Sequence, residues 1–445
     1  MTAPPAGAIH DQLVTFVTTD YAGITRGRAI AASGYKAGQD KTIGWVPANM
    51  SLTPFDMIAD PNPWGALGDL RLRPDGDARY CVRPQGSPTD LDMVMSDIVE
   101  LDGTPWVCCP RNFLKTALAD LEREAHVALV AAFEHEFQIL DAGWPAAPAF
   151  SLQALRRADP FGPALMAALR LAGVEPEMFI AEHGRDQYEV TVAPSAGLIA
   201  ADRAVVVREV ARELARNMGW RCSFAPKTAI DGVGNGVHMH FSFRDRSGGP
   251  AAYDASRPGR VSALAGSFVA GIILHLPALI AFTAPSPISG LRLQPHHWSS
   301  SYTWFGDRDR EASLRICPVH QIGTSDPAQT FNIEYRAADA TACPHLALAV
   351  MVRAGLEGIR SGLAAPPLFS GDPALLGENE RAALGLRRLP ASLEDALANL
   401  LADKVVTSWF DPVALETYTG MKRMELKLAG SDVGEAMCQR YAGIY

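Results

Sequence analysis

Phe133-Glu134-His135-Glu136-Phe137, Gln187-Tyr188-Glu189-Val190, Val237-His238-Met239-His240-Phe241-Ser242-Phe243 and Ile333-Glu334-Tyr335-Arg336 alternate polar with apolar residues. Their polar positions carry groups that ligate metals or phosphates. Successive side chains of a strand point to opposite faces, so Glu134 and Glu136 share one face, as do His238, His240 and Ser242, and Glu334 and Arg336. The aromatic and aliphatic positions between them form the other face, suited to packing on a core. If the four strands adjoin, Glu134, Glu136, Glu189 and Glu334 crowd one surface, with Glu182 close in sequence. Crowded carboxylates raise one another's pKa unless cations sit among them. Several carboxylates with an imidazole suit Mg2+ or Mn2+, which take oxygen ligands. The chemistry expected is that of a metal-lined, sheet-based pocket handling phosphate.

The elements that must hold these groups are legible in outline. Leu13 to Thr18 reads as a strand, Asp20-Tyr21-Ala22-Gly23 as a turn, and Ile24 to Ala32 as its returning partner. The rest of the first hundred residues reads as short strands and turns, dense in Pro, Gly and Asp from Ala59 to Pro88. Pro110 marks a helix start, followed by Phe113, Leu114, Ala117, Leu118 and Leu121 at helical spacing, so a domain boundary is placed near Thr104. Beyond it, helices are expected from about Asp202 to Asn217, stopped by Gly219, and from Pro344 to Ile359. More helix follows Leu389-Pro390. Strands and helices mix without strict βαβ alternation.

Bulk properties narrow the function classes. The 445 residues are 48% apolar and 20% charged, enough for a sizeable core in a small and a large domain. A net charge of −9 without any basic run argues against a nucleic-acid partner. Seven cysteines without a metal-ligand spacing fit a reducing cytoplasm. Met1-Thr2-Ala3-Pro4-Pro5 opens no secretion signal. The apolar run from Val261 to Phe282 contains His275 and Pro277 and reads as a buried core helix broken near Pro277, not a membrane span. No G-x-x-x-x-G-K-[ST] loop occurs, and Gly232-Val233-Gly234-Asn235-Gly236 leads into a strand instead of completing a dinucleotide fingerprint. That glycine run is either a simple turn or a device for bringing backbone close to a ligand.

The order of the motifs resembles the glutamine synthetase family. It comprises Phe133-Glu-His-Glu-Phe137, Glu182…Gln187-Tyr-Glu189, Gly234-Asn-Gly-Val-His238-Met-His240, Arg292-Leu-Gln-Pro295, Arg310…Arg315-Ile and Ile333-Glu-Tyr-Arg336. Further likeness lies in Gly68-Asp69…Pro74-Asp75, Val94-Met95-Ser96-Asp97 with Pro110-Arg111, and Leu389-Pro390-Ala-Ser-Leu393, so it covers nearly the whole chain. The resemblance implies an α+β fold, with an N-terminal β-grasp domain (residues 1–104) and a large catalytic domain (residues 105–445) built on a curved antiparallel sheet and surrounding helices. It also implies stacked rings of identical subunits, dodecamer-like, with active sites shared between neighbours. The implied reaction is ATP-dependent ligation of a carboxylate, usually glutamate's, to an amine through an acyl phosphate.

Carried over by motif, Glu136, Glu182 and Glu189 hold one divalent cation, and Glu134, His238 and Glu334 the other. Arg310 and Arg315 contact the transferring phosphate, and Arg292 and Arg336 the acid's carboxylates. His240 and Ser242 fall where the family contacts the nucleotide. Three departures surround the substrates. Gly44-Trp45-Val46-Pro47-Ala48-Asn49-Met50-Ser51 offers no acid where ammonia-using members carry an aspartate. Trp298 stands where the closing loop carries a glutamate. Val233 replaces the asparagine that orients glutamate's amino-acid end, beside Gly234. Ammonium stripped of water needs negative charge or good acceptors, so an amine other than ammonia is expected. Trp298 either covers an apolar, aromatic or cationic amine or fills the volume of a rearranged loop. No tyrosine occurs between Tyr335 and Tyr418, so the adenylylated tyrosine of many bacterial members has no counterpart. An ordinary ammonia-using glutamine synthetase and an inactive nucleotide- or amino-acid-binding sensor stand as the competing readings.

Overall fold

In the computed structural model, residues 11–36, 38, 41–430 and 434–445 are described. The opening Met1–Pro5 segment lies outside them. Strands β1 (Leu13–Thr19), β2 (Thr25–Ala31), β3 (Ile43–Trp45), β4 (Leu70–Val82) and β5 (Leu91–Val99) form one sheet in the order β2-β1-β5-β4-β3. β1 and β5 run parallel at its centre, and the hairpin neighbours are antiparallel. The short-strand expectation misses β4, which runs for 13 residues. Its Pro74-Asp75-Gly76-Asp77 cluster is absorbed by a register shift between Pro74 and Arg79 and does not end the strand.

The second sheet comprises β6 (Val127–Leu140), β7 (Pro176–Ala181), β8 (Gln187–Val192), β9 (Ser195–Ala196), β10 (Arg221–Ser223), β11 (Val237–Asp245), β12 (Phe305–Asp307), β13 (Leu314–Ile316) and β14 (Ile333–Tyr335). Its main path is β12-β13-β14-β11-β6-β8-β7. It is antiparallel except for the β12–β13 pair. The four alternating stretches are therefore four adjacent strands. Phe133, Phe137, Tyr188, Met239, Phe241 and Phe243 point into the core, leaving the polar positions on the other face. That core continues without a break into the first sheet, through residues such as Phe16 and Val94.

Helices back the apolar face. Ala263–Thr283 lies against Pro344–Arg360, and the two approach so closely that a Cβ on Gly271 would stand 2.1 Å from the Ala354 carbonyl oxygen. Among the described residues Ala263–Thr283 is the one helix long and apolar enough to cross a membrane, yet most of it is buried inside the protein. It does not break at Pro277 as expected. The Arg387 guanidinium donates to the carbonyls of Ile273 (2.8 Å) and Leu274 (2.7 Å), replacing the donor that proline lacks.

The helix expected from Asp202 begins five residues earlier, as Gly197–Asn217. Asp202 does not cap it. Its carboxylate is buried and accepts from Arg111 Nε (3.0 Å) and Nη2 (2.9 Å), and it pairs with His345 Nε2 at 2.8 Å. Gly219 follows the helix with φ of +77°, as a C-terminal stop requires. All seven cysteines are free thiols.

Candidate active site

Strand register brings the polar face together. Glu134 lies opposite His238, Glu136 opposite Glu189, His240 opposite Glu334, and Glu334 opposite Arg315. Cross-strand neighbours at these separations interact directly. His238 Nδ1 is 2.8 Å from Glu134 Oε1 and 3.5 Å from Glu334 Oε1, and His240 Nε2 is 3.3 Å from Glu134 Oε2. Glu334 is buried between two guanidiniums: Arg315 Nη1 donates to one oxygen at 2.8 Å, and Arg336 Nη1 donates to the other. Arg336 also donates to the carbonyls of Arg310 (2.9 Å) and Trp298 (3.1 Å).

Among the described residues, two groups bring their ligand atoms within 4.8 Å of one another: Glu134 with Glu189 and His238, and Glu134 with His240 and Glu334. This grouping differs from the one the motifs implied. His240, assigned to the nucleotide by resemblance, joins the second group. Glu136 and Glu182 stand outside both, bordering the neighbouring cavity. The Glu136 carboxylate accepts from the Gly236 amide at 2.7 Å.

Mutual repulsion does not raise every carboxylate, as simple crowding would. Burial, then the charges of Glu134, Glu136 and Glu182, pushes Glu189 up to about 10. Burial and Glu136 push Glu182 up to about 7, although Arg310 opposes. Burial acts in the same sense on Glu134 and Glu334, but other charges outweigh it. His238 and His240 hold Glu134 well below the usual range, and Arg336 with the two histidines takes Glu334 to about 2. The imidazoles and guanidiniums lie on the β11–β14 side, so Glu182 and Glu189 hold their protons more tightly than free carboxyls do, and a bound cation would displace them. Oxygen donors crowded around an imidazole fit a hard divalent cation.

A cavity lies on each side of this cluster. The larger, about 590 Å3, is lined by Glu136, Glu182, Gln187, Lys227, Val233, Gly234, His238, Arg292 and Trp298, among others. The smaller, about 400 Å3, is lined by Glu134, His240, Ser242, Arg244, Phe331 and Asn332 with their neighbours. The residues expected to meet the acid and the amine thus border one space, apart from Arg336, and those expected to meet the nucleotide border the other, apart from Arg315. Arg310 is exposed and acts on Glu182. Arg292 is buried, donates to the Arg336 carbonyl at 3.0 Å, and keeps Nη1 without a partner.

The glycine run is a device for close approach. Gly232, Gly234 and Gly236 have no left-handed φ. A Cβ on Gly234 would stand 2.7 Å from Arg292 Cγ, and one on Gly236 would stand 2.4 Å from Arg292 Nη2. What approaches is the arginine. Trp298 does not fill a buried volume either, since it is 58% exposed.

Sequence reasoning missed several neighbours. Asn332 accepts or shares a hydrogen bond with His240 Nδ1 at 2.9 Å, and extending the period-two pattern back from Glu334 would have found it. Cys317, two residues beyond Arg315, lies 3.6 Å from the same nitrogen. Lys227 and His183 sit in loops, where no periodicity marks them.

Comparison with known proteins follows the same lines. A family model described as glutamine synthetase, catalytic domain, matches residues 107–441, and one described as glutamine synthetase N-terminal domain matches residues 5–106. The chain is 34% identical to gamma-glutamylpolyamine synthetase GlnA3 of Streptomyces coelicolor, covering 96% of this chain and 91% of the relative. It is 29% identical to a glutamine synthetase of Methanocaldococcus jannaschii, over 80% and 79% of the two chains. A crystal structure described as a novel glutamine synthase homolog matches with a TM-score of 0.91 and 45% identity, covering 98% of this chain and 99% of that one. Ligand-free GmaS shares the fold, with a TM-score of 0.80 at 23% identity over 97% and 96% of the chains.

Proposed function

This chain belongs to the glutamine synthetase family, and from that premise we propose that it is an ATP-dependent carboxylate–amine ligase that γ-glutamylates an amine other than ammonia. One observation carries the reading. A full set of clustered carboxylates, imidazoles and guanidiniums adjoins a cavity whose rim presents an exposed Trp298. The Streptomyces relative's name, a γ-glutamylpolyamine synthetase, supports an amine as the second substrate.

Within this reading Glu134, Glu136, Glu182, Glu189, His238 and Glu334 hold two divalent cations, Mg2+ or Mn2+. When bound, these neutralise the charge that builds up as phosphate is transferred. The glutamate γ-carboxylate oxygen bonds to the terminal phosphorus of ATP and ADP leaves. The amine nitrogen then bonds to the acyl carbon, losing a proton, and phosphate leaves. Arg310 and Arg315 hold phosphate oxygens, because guanidinium forks match them and stay charged. Arg292, with its free Nη1, and Arg336 receive the acid's carboxylates. His240 and Ser242 meet the nucleotide in the smaller cavity. Val233 offers no hydrogen bond to the acid's amino group, so the acid is oriented chiefly by the arginines.

We also place a domain boundary near Thr104, between residues 1–104 and 105–445, and a ring assembly with shared sites. Among the described residues, every one that lines the two cavities lies at or after Val130. The first sheet therefore lines neither cavity of its own chain, and would reach a site only from a neighbouring copy. The free thiols support a reducing, cytoplasmic setting.

ADP release, measured with glutamate against ammonia and a panel of alkyl, aryl and polyamines, tests the reading. Turnover that needs a divalent cation, is faster with an amine than with ammonia, and is lost in Glu334→Ala is expected. Best turnover with ammonia would return the chain to the ordinary synthetases. Ligand binding without turnover for any pair would make it a sensor.

A further inference from the structure

Aromatic rings gather at the larger cavity. His183 and Trp298 line it, and Phe150 lies against both. The Phe150 ring centroid is 6.0 Å from that of His183 and 6.4 Å from that of Trp298, the latter two planes inclined by only 27°. His183 and Trp298 are 5.9 Å apart. Three separate segments deliver these rings: the connection after β6, the turn between β7 and β8, and the loop after Arg292.

Two features set this cluster apart from ordinary packing. Phe150 and Trp298 remain 52% and 58% exposed. Both also hold left-handed backbone conformations, with φ of +57° and +51°. A bulky residue in that region is strained and persists only where its surroundings enforce it. For Trp298 the surroundings are identifiable. Its amide donates to Glu311 Oε1 at 3.3 Å, and its carbonyl accepts from Arg336 Nη2 at 3.1 Å. The His296 amide holds the other Glu311 oxygen at 3.1 Å. The indole position is thus tied through Arg336 to Glu334 and the ligand cluster. Ile230 and Val233 continue an apolar lining on the same cavity.

Resting on the ligase reading above, we propose that Phe150, His183 and Trp298 form a specificity wall that reads the substituent of the attacking amine and selects primary amines bearing an aryl or extended alkyl group. A short amine touches only the two inner rings. A longer substituent, running outward from the reacting nitrogen, reaches Phe150 and gains an aromatic contact, typically about 0.5–1.5 kcal/mol. Phe150 is accordingly a specificity residue and takes no part in the bond-making steps.

Steady-state kinetics of the full-length protein with glutamate, ATP and either methylamine, phenethylamine or spermidine test this. Phe150→Ala is expected to raise the KM for phenethylamine about three- to tenfold, leaving methylamine, glutamate and ATP within about twofold. Phe150→Leu, which keeps an apolar surface, recovers part of the loss. Equal increases in every KM would make Phe150 merely structural, and an unchanged phenethylamine KM would remove it from the amine path. Either result overturns the proposal, as does methylamine showing a higher kcat/KM than both phenethylamine and spermidine in the wild type. Failure of the parent reading looks different: no γ-glutamyl product then forms from any amine, even in the wild type.

Discussion

Most of the site's charge converges on Glu334, a buried carboxylate gripped by Arg315 and Arg336 and faced by both histidines. The free Nη1 of Arg292 nearby has no such partner, which makes it available to a substrate carboxylate. Arg292→Ala should raise the KM for the acid by about 10- to 100-fold, the value of a hydrogen bond between charged groups, with the KM for ATP little changed. Trp298→Glu should shift selectivity the other way, improving ammonia relative to bulky amines by restoring an acid where ammonium would be desolvated. Unaltered ammonia-to-amine ratios in competition assays would separate Trp298 from the amine. At this scale the sequence was most readable where side chains alternate. The polar faces of β6, β8, β11 and β14 could be written down because a strand has period two, and register then joined them. His183 and Phe150 were invisible because loop residues have no period, and their meeting depends on tertiary structure.

Between elements, Arg111 is the main polar joint. From the Pro110–Ala125 helix it reaches Asp97 on β5 (3.0 Å), Asp75 on β4 (2.8 Å) and Asp202 on the Gly197–Asn217 helix (2.9 Å). Arg111→Leu leaves buried carboxylates without their cation and should destabilise the protein by about 3–5 kcal/mol, read as a fall in the denaturant midpoint. Burial alone would raise the Asp202 pKa, but His345 and Arg111 bring it below its ordinary value. A carboxylate depressed in the folded state stabilises above its unfolded pKa, and that contribution fades as pH falls through the folded value. Acid unfolding below about pH 4 should therefore be steeper in the wild type than in Arg111→Leu. Arg387→Met tests a second joint: freeing the Ile273 and Leu274 carbonyls beside Pro277, which are solvent-exposed, should cost about 0.5–1.5 kcal/mol, and an unchanged melting curve would show that water satisfies them equally well. Helix starts at Pro110 and Pro344 were readable because proline is tolerated at a first turn. The continuity of Ala263–Thr283 was not, because its compensating donor lies 110 residues further on, at Arg387. Asp202 misled as a helix start for the related reason that its partners, Arg111 and His345, are remote in sequence.

For the molecule as a whole, two cavities border one cluster of candidate ligands, and that placement supports the proposed division between a nucleotide side and an acid–amine side. The proposed shared sites predict that sedimentation will find a large ring-shaped assembly and that dilution to monomers abolishes turnover; fully active monomers would exclude them. The α+β class was legible through the family resemblance and the polar faces of the four motif strands from their alternation, whereas the adjacency of those strands and the regrouping of ligand atoms around Glu134 required coordinates. The most direct examination of the central claim is anomalous diffraction from crystals grown with Mn2+ and ADP. The account predicts manganese peaks bounded by Glu134, Glu136, Glu189, His238 and Glu334, between the two cavities. Manganese bound elsewhere, with that cluster empty at saturating metal, would contradict it.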